Sequence, residues 1–114
     1  MIRSVLYLRP VAGDASSVAR FFEEERVLER AAAHPGFLGG ELQLPLGRPG
    51  PALVTALWSS VADYQGWVAD PWRASSASRA GEVFEAIEEP GGGGSIYEVA
   101  VTAAPGPGAK GGVR

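Results

Sequence analysis

Sixteen residues, LWSSVADYQGWVADPW from Leu57 to Trp72, hold all three tryptophans of the chain and one of its three tyrosines. Large aromatics usually fill a core. They also wall pockets for flat ligands, because an indole N–H or a phenol O–H can address a polar atom while the ring packs. Trp58 could stack on a substrate and donate its N–H to a ketone oxygen. The Tyr64 phenol could donate to, or accept from, substrate oxygens. Trp67 and Trp72 read as core, as a dimer contact, or as further walls, and four such rings exceed what a small core requires. Two charged residues can join them. Glu25 falls on the apolar face of a helix; buried there, it would act as a general base near neutral pH. Arg79 could pair with Glu25 or hold a phenolate by its charge. Arg73 also has inward helical spacing, but it sits in a first turn, which leaves its direction open. Tyr7 and Phe22 complete the candidate substrate contacts.

Composition removes several other chemistries. The 114 residues include no cysteine and a single histidine, His34. Thiolate nucleophiles, disulfides and metal sites built from several histidines are therefore excluded within one chain. A net charge of −3 argues against nucleic acid, which needs a basic stripe, and against a polybasic membrane anchor. No apolar run approaches the ~20 residues of a membrane span, and the N-terminus lacks a signal-peptide layout. A cytoplasmic protein is the expectation. GGGG at 91–94 is not followed by the Lys-Ser/Thr of a phosphate loop and reads as a flexible break.

The elements that must position these residues follow from periodicity. IRSVLYLR (2–9) is a strand with Ile2, Leu6 and Leu8 on one face and Val5 and Tyr7 on the other. Asp14 can cap a helix over 15–33 with Val18, Phe21, Phe22, Leu28 and Ala32 on one side. His34-Pro35-Gly36 ends it. FLGGELQLPL (37–46) is a second strand, with Gly39 and Gly40 marking a bulge or close approach. ALVTALW (52–58) is a third, apolar on both faces. Ser60 and Asp63 form a capping box for a helix over 61–68. Asp70-Pro71 starts another, over 71–88, with Trp72, Ser76, Ala80, Val83, Phe84 and Ile87 inward. SIYEVAVT (95–102) is the last strand. Residues 103–114 are low in complexity and read as a disordered tail.

The order β-α-β-β-α-β predicts one α+β, ferredoxin-like domain over 1–102. Helices cover one sheet face. Val5, Tyr7, Leu53, Leu57, Val99 and Val101 on the other face require cover, which a second copy of the sheet would supply as a two-fold homodimer.

The stretches AAHPGFLGGEL and ALWSSVADYQGWVADPWRA resemble the antibiotic biosynthesis monooxygenase family of dimeric α+β barrels. The His-Pro-Gly-aromatic turn, the third strand closing on Trp-Ser, and the short helix leading to Asp-Pro-Trp carry the likeness, which covers about residues 1–102. The family's polyketide oxygenases use no flavin, haem or metal. An anthrone-like phenol is deprotonated and itself donates an electron to O2; the radicals combine, and loss of water leaves a quinone. The resemblance matches Trp58 and Tyr64 to pocket positions of these enzymes and puts Arg79 near their arginine. Their asparagine is missing; Val54 or Tyr7 stands in its place. The histidine and asparagine of the haem-degrading branch are missing too. The resemblance thus implies a cofactor-independent monooxygenase acting, with O2, on a polycyclic aromatic intermediate of antibiotic biosynthesis. A polyketide cyclase using the same pocket without O2, and a non-catalytic ligand-binding or accessory protein, are the alternatives.

Overall fold

The computed structural model describes residues 1–87 and 94–108. The first strand, β1 (Ile2–Pro10), lies inside an antiparallel sheet of order β2-β3-β1-β4, with β5 also pairing β1. β2 is Phe37–Gln43, β3 Ala52–Trp58, β4 Phe84–Ile87 and β5 Ser95–Glu98. Helices α1 (Ser16–Glu24), α2 (Val27–Ala32), α3 (Val61–Val68) and α4 (Pro71–Gly81) accompany it. The α+β, ferredoxin-like expectation holds. Among the described residues no helix is long and apolar enough to cross a membrane.

β1 registers against β3 from Ile2↔Trp58 to Leu8↔Ala52. Because side chains alternate, Ile2, Ser4, Leu6 and Leu8 share one face with Ala52, Val54, Ala56 and Trp58. This face meets Val18, Phe21 and Phe22 of α1, Val27 and Ala31 of α2 and Trp67 of α3 in the core. The opposite face carries Val5, Tyr7, Leu53, Thr55 and Leu57. The bulge expected at the glycines is present: Phe37 pairs with Trp58 but Gly39 with Leu57, so Leu38 is the extra residue.

Three expectations need correction. The single helix over 15–33 is two helices, broken at Arg26, whose φ of 54° is left-handed. The Arg30 Nε–H donates to the Glu25 carbonyl at 2.8 Å and so satisfies a group that the break exposes. The break also changes the phase of the second half, so that Ala31 is buried and Ala32 exposed. Second, α4 stops at Gly81, and Phe84–Ile87 is a strand rather than a helical turn. It pairs with Tyr7–Pro10 along an edge of β1 whose backbone groups would otherwise lack partners. Arg9 and Glu85 face each other across that pair at 3.4 Å. Third, the last strand covers only Ser95–Glu98, pairing with Ile2–Val5. β4 and β5 thus follow one another along the same edge of β1. The break read at 90–94 lies, apart from Gly94, outside the described residues, as does the tail from 109 onward.

Candidate active site

The cavity that brings the sequence candidates together lies between the inner sheet face and the helices and opens to solvent. Its volume is about 180 Å³. β1 contributes Ser4 and Leu6, α1 Phe21 and Phe22, β3 Val54, Ala56 and Trp58, α3 Tyr64 and Trp67, and α4 Trp72, Arg73 and Ser76.

Trp58 forms the buried end of this site, with 0% of its surface exposed. Its ring meets Phe37 edge-on at 5.2 Å between centroids and Tyr64 at 6.0 Å. Its N–H donates to Ser4 Oγ at 3.2 Å. A substrate carbonyl would have to displace that bond to be held as the sequence reading expects. Ser4 is the polar residue that the reading passed over. It alternates with Ile2, Leu6 and Leu8 and therefore faces inward, a signal present in the strand pattern itself.

Tyr64 is placed by α3, whose first turn is closed as the capping box predicts. The Asp63 N–H donates to Ser60 Oγ at 3.2 Å, and the Ser60 hydroxyl donates to Asp63 Oδ2 at 2.9 Å. The Tyr64 hydroxyl makes no hydrogen bond among the described residues and lies near Gly94, where an added Cβ would come within 3.2 Å of it.

Trp67 and Trp72 have a structural duty as well as a place in the cavity wall. Their rings stack at 6.2 Å, 18° from parallel. The Arg30 guanidinium lies over Trp72 at 4.4 Å and that of Arg73 over Trp67 at 5.1 Å. His34 meets the edge of Trp67 at 5.6 Å. Such cation–π contacts each contribute roughly 0.5–2 kcal/mol, more where water is excluded.

The rotation of α4 decides which arginine faces the cavity. Asp70 Oδ1 accepts from the Trp72 N–H at 2.8 Å, and Oδ2 accepts from His34 Nε2 at 2.7 Å. One carboxylate therefore caps α4 and ties its start to the turn after α2. The His34 hydrogen bond, then the Trp72 N–H, hold the Asp70 carboxyl below its usual range. With α4 so fixed, Arg73 lines the cavity. Burial pushes its guanidinium down from its ordinary value, and Tyr64 and Asp70 partly offset this. Arginine remains charged under such a shift, so the cavity holds a cation.

Glu25 and Arg79 do not line the cavity. They pair with each other at 2.8 Å, with 27% and 52% of their side chains exposed, and join the end of α1 to α4 at the rim. Glu25 is thus not the lone buried base that the sequence reading considers, because its carboxylate is charge-paired and wetted. Tyr7 lies on the outer sheet face, 37% exposed, away from Trp58 and Tyr64. Phe22, Trp58, Tyr64, Trp67 and Trp72 are brought together. Among the described residues, no carboxylate or imidazole lines the cavity.

No family model and no curated protein matches the sequence. Solved structures do match the fold. SnoaB, a cofactor-independent oxygenase from Streptomyces nogalater, superposes with a TM-score of 0.70 at 15% identity, over 89% of this chain and 94% of that one. The heme-degrader MhuD from Mycobacterium tuberculosis, with two hemes bound in its active site, gives 0.68 at 23% identity over 91% and 100%. A protein from Chloroflexus aurantiacus named as an antibiotic biosynthesis monooxygenase gives 0.62 at 14% identity over 92% and 98%. The chain therefore has the fold of the antibiotic biosynthesis monooxygenases. The site itself does not fit a haem. His34 is committed to Asp70 at the turn after α2 and does not line the cavity. The cavity's 180 Å³ also lies below the roughly 300 Å³ at which pockets for drug-sized ligands begin.

Proposed function

We propose that this protein is a cofactor-independent monooxygenase that converts an electron-rich aromatic phenol to a quinone with O2. The observation that carries the reading is the makeup of the cavity among the described residues: aromatic and aliphatic walls, a phenol, two serine hydroxyls and one guanidinium, with no carboxylate or imidazole among them. A cyclase working by acid–base catalysis needs a general base near neutral pH, and the described lining residues include no carboxylate or imidazole to serve as one. A substrate that ionises readily and carries its own electrons needs only a cation to hold its anion and an apolar space to meet O2. The likeness in fold to an oxygenase that uses no cofactor supports the same reading.

In this scheme the substrate ring lies among Trp58, Tyr64 and Phe22. Its phenolic proton leaves through the open mouth, and Arg73 stabilises the anion. The Tyr64 hydroxyl positions a substrate oxygen. The anion passes one electron to O2, and the two radicals combine as a carbon–oxygen bond. The O–O bond then breaks as water leaves. The hydrogens of one ring C–H and of the phenolic O–H leave with one oxygen atom as H2O, and the other oxygen becomes the second quinone carbonyl, so no external reductant is needed. The apolar outer face, with Val5, Tyr7, Leu53 and Leu57, supports a homodimer within this reading.

Oxygen consumption by metal-stripped protein with 1-naphthol, followed beside quinone absorbance, tests it. Enzyme-dependent uptake matched mole for mole by quinone is expected. Tight naphthol binding without uptake would move the protein to the non-redox or ligand-binding alternatives.

A further inference from the structure

Arg73, the one cation among the described lining residues, has no partner among the described residues. Arg73 takes part in none of their ion pairs, while Arg9, Arg26 and Arg79 each face a carboxylate. Its side chain donates no hydrogen bond there either, and its guanidinium rests on the face of Trp67. Arg79, by contrast, is neutralised by Glu25 at the rim. A partly desolvated guanidinium aimed into an apolar space, with fork-shaped donors unused, is a receptor for a planar oxyanion.

Size constrains the other end of the ligand. An apolar cavity of about 150 Å³ takes a benzene. The 180 Å³ here encloses one substituted ring, with a second fused ring reaching the mouth. Ala31, Ala56 and Trp58, all buried, close the deep side, so a third ring has no room there.

The geometry points to a one- or two-ring aromatic oxyanion as the ligand of this site, its ring between Trp58, Tyr64 and Phe22 and its charged oxygen on Arg73 rather than Arg79. This rests on the oxygenase reading for the identity of the site and narrows its substrate class. The oxyanion is a phenolate or an aryl carboxylate, which share the same contact with the guanidinium.

Calorimetric titration of the whole chain near neutral pH tests it with four probes: 2-naphthoate, the neutral 2-naphthamide, 2-naphthol and anthracene-2-carboxylate. The wild type is expected to prefer naphthoate over naphthamide by about tenfold or more, the worth of a charge-assisted hydrogen bond. Arg73→Gln, checked for folding by circular dichroism, should abolish that preference; Arg73→Lys should keep part of it; Arg79→Gln should keep all of it. Anthracene-2-carboxylate should bind more weakly than naphthoate. Naphthol that tightens as pH rises through its ionisation assigns the oxyanion to phenolates as well; naphthol that does not, with naphthoate still preferred, assigns it to carboxylates. Equal binding of naphthoate and naphthamide by the wild type overturns the inference. So does a preference that survives in folded Arg73→Gln or disappears in Arg79→Gln. An anthracene carboxylate that binds as well as naphthoate overturns the size limit. Oxygen uptake without anion preference would remove only the Arg73 assignment, whereas anion preference without uptake with 1-naphthol or 2-naphthol would remove the oxygenase reading.

Discussion

At the scale of single residues, Asp70 joins two parts of the fold. One oxygen caps α4 and the other holds His34, and these two bonds together orient the helix that carries Trp72, Arg73 and Ser76. Because its carboxyl is held below the usual range, the unfolded chain binds its proton more readily than the folded one. Its contribution to stability is therefore present above the ordinary carboxylate range and is lost as pH falls through the depressed folded value. Asp14 is depressed as well, chiefly by the Ser16 N–H, and acts in the same window. Urea denaturation at a series of acidic pH values should show the wild type losing stability as pH falls. Asp70→Asn, which keeps an acceptor for the Trp72 N–H but carries no charge, should lose less over that interval. Identical slopes for the two proteins would show that the His34 contact has no energetic weight.

The same residue explains what could and could not be read at the site. Trp58, Tyr64, Trp67, Trp72 and Phe22 were legible as one group because strand alternation and helical spacing put them on inward faces. The choice between Arg73 and Arg79 was not. Six residues apart, they point about 240° from one another around a helix turning 100° per residue. Either could face inward until the contact between Asp70 and His34, distant in sequence, sets the rotation. Ser4 was readable from the pattern of β1, and its bond to the Trp58 N–H was not, since that bond needs the register between β1 and β3.

At the scale of elements, local chemistry sufficed where it was strong. The bounds of β3 and α3 agree with the sequence reading because both are marked by punctuation: Pro51 before β3, Ser60 and Asp63 at the start of α3. The break at Arg26 has no such mark. Glu23, Glu24, Glu25 and Arg26 are all good helix formers, and packing of Val27 and Ala31 overrides their preference. β4 was lost for a related reason, because four residues are too few to separate alternation from a continuing helical period. Two left-handed positions make opposite predictions. At Gly36, with φ of +83°, an added Cβ would run into the Asp63 side chain, and the Gly36 carbonyl also accepts from the Ser59 N–H at 2.8 Å. Gly36→Ala should cost about 2–4 kcal/mol, combining backbone strain with overpacking. At Arg26, the place after a helix end where glycine is commonest, Arg26→Gly should leave stability unchanged or raise it by up to about 1 kcal/mol. Its ion pair with Glu29, at 3.8 Å and well exposed, contributes little. Urea midpoints decide both. A harmless Gly36→Ala would show that α3 can shift freely, and a costly Arg26→Gly would show that the side chain matters more than the backbone.

At the scale of the whole molecule, the described helices cover one face of the sheet only. Val5, Leu53 and Leu57 on the other are part-buried, Thr55 is 7% exposed, and Tyr7 stands among them. An antiparallel sheet that ends at water usually alternates to polar residues on its outer side. The homodimer proposed on this ground predicts a mass in solution twice that of the chain. Leu53→Glu should give a monomer by analytical ultracentrifugation, with the helix content retained. A wild type that sediments as a monomer at micromolar concentration would remove the dimer from the account. The cavity, formed within one chain among the described residues, would remain.

The most direct test of the central claim follows the oxygen atoms. Metal-stripped protein turning over 1-naphthol under isotopically labelled dioxygen should place one labelled atom in the new quinone carbonyl and the other in water. The quinone mass, read before carbonyl exchange with solvent, gives the answer. A product that carries label only when the water is labelled, or that forms equally well without O2, would contradict the account.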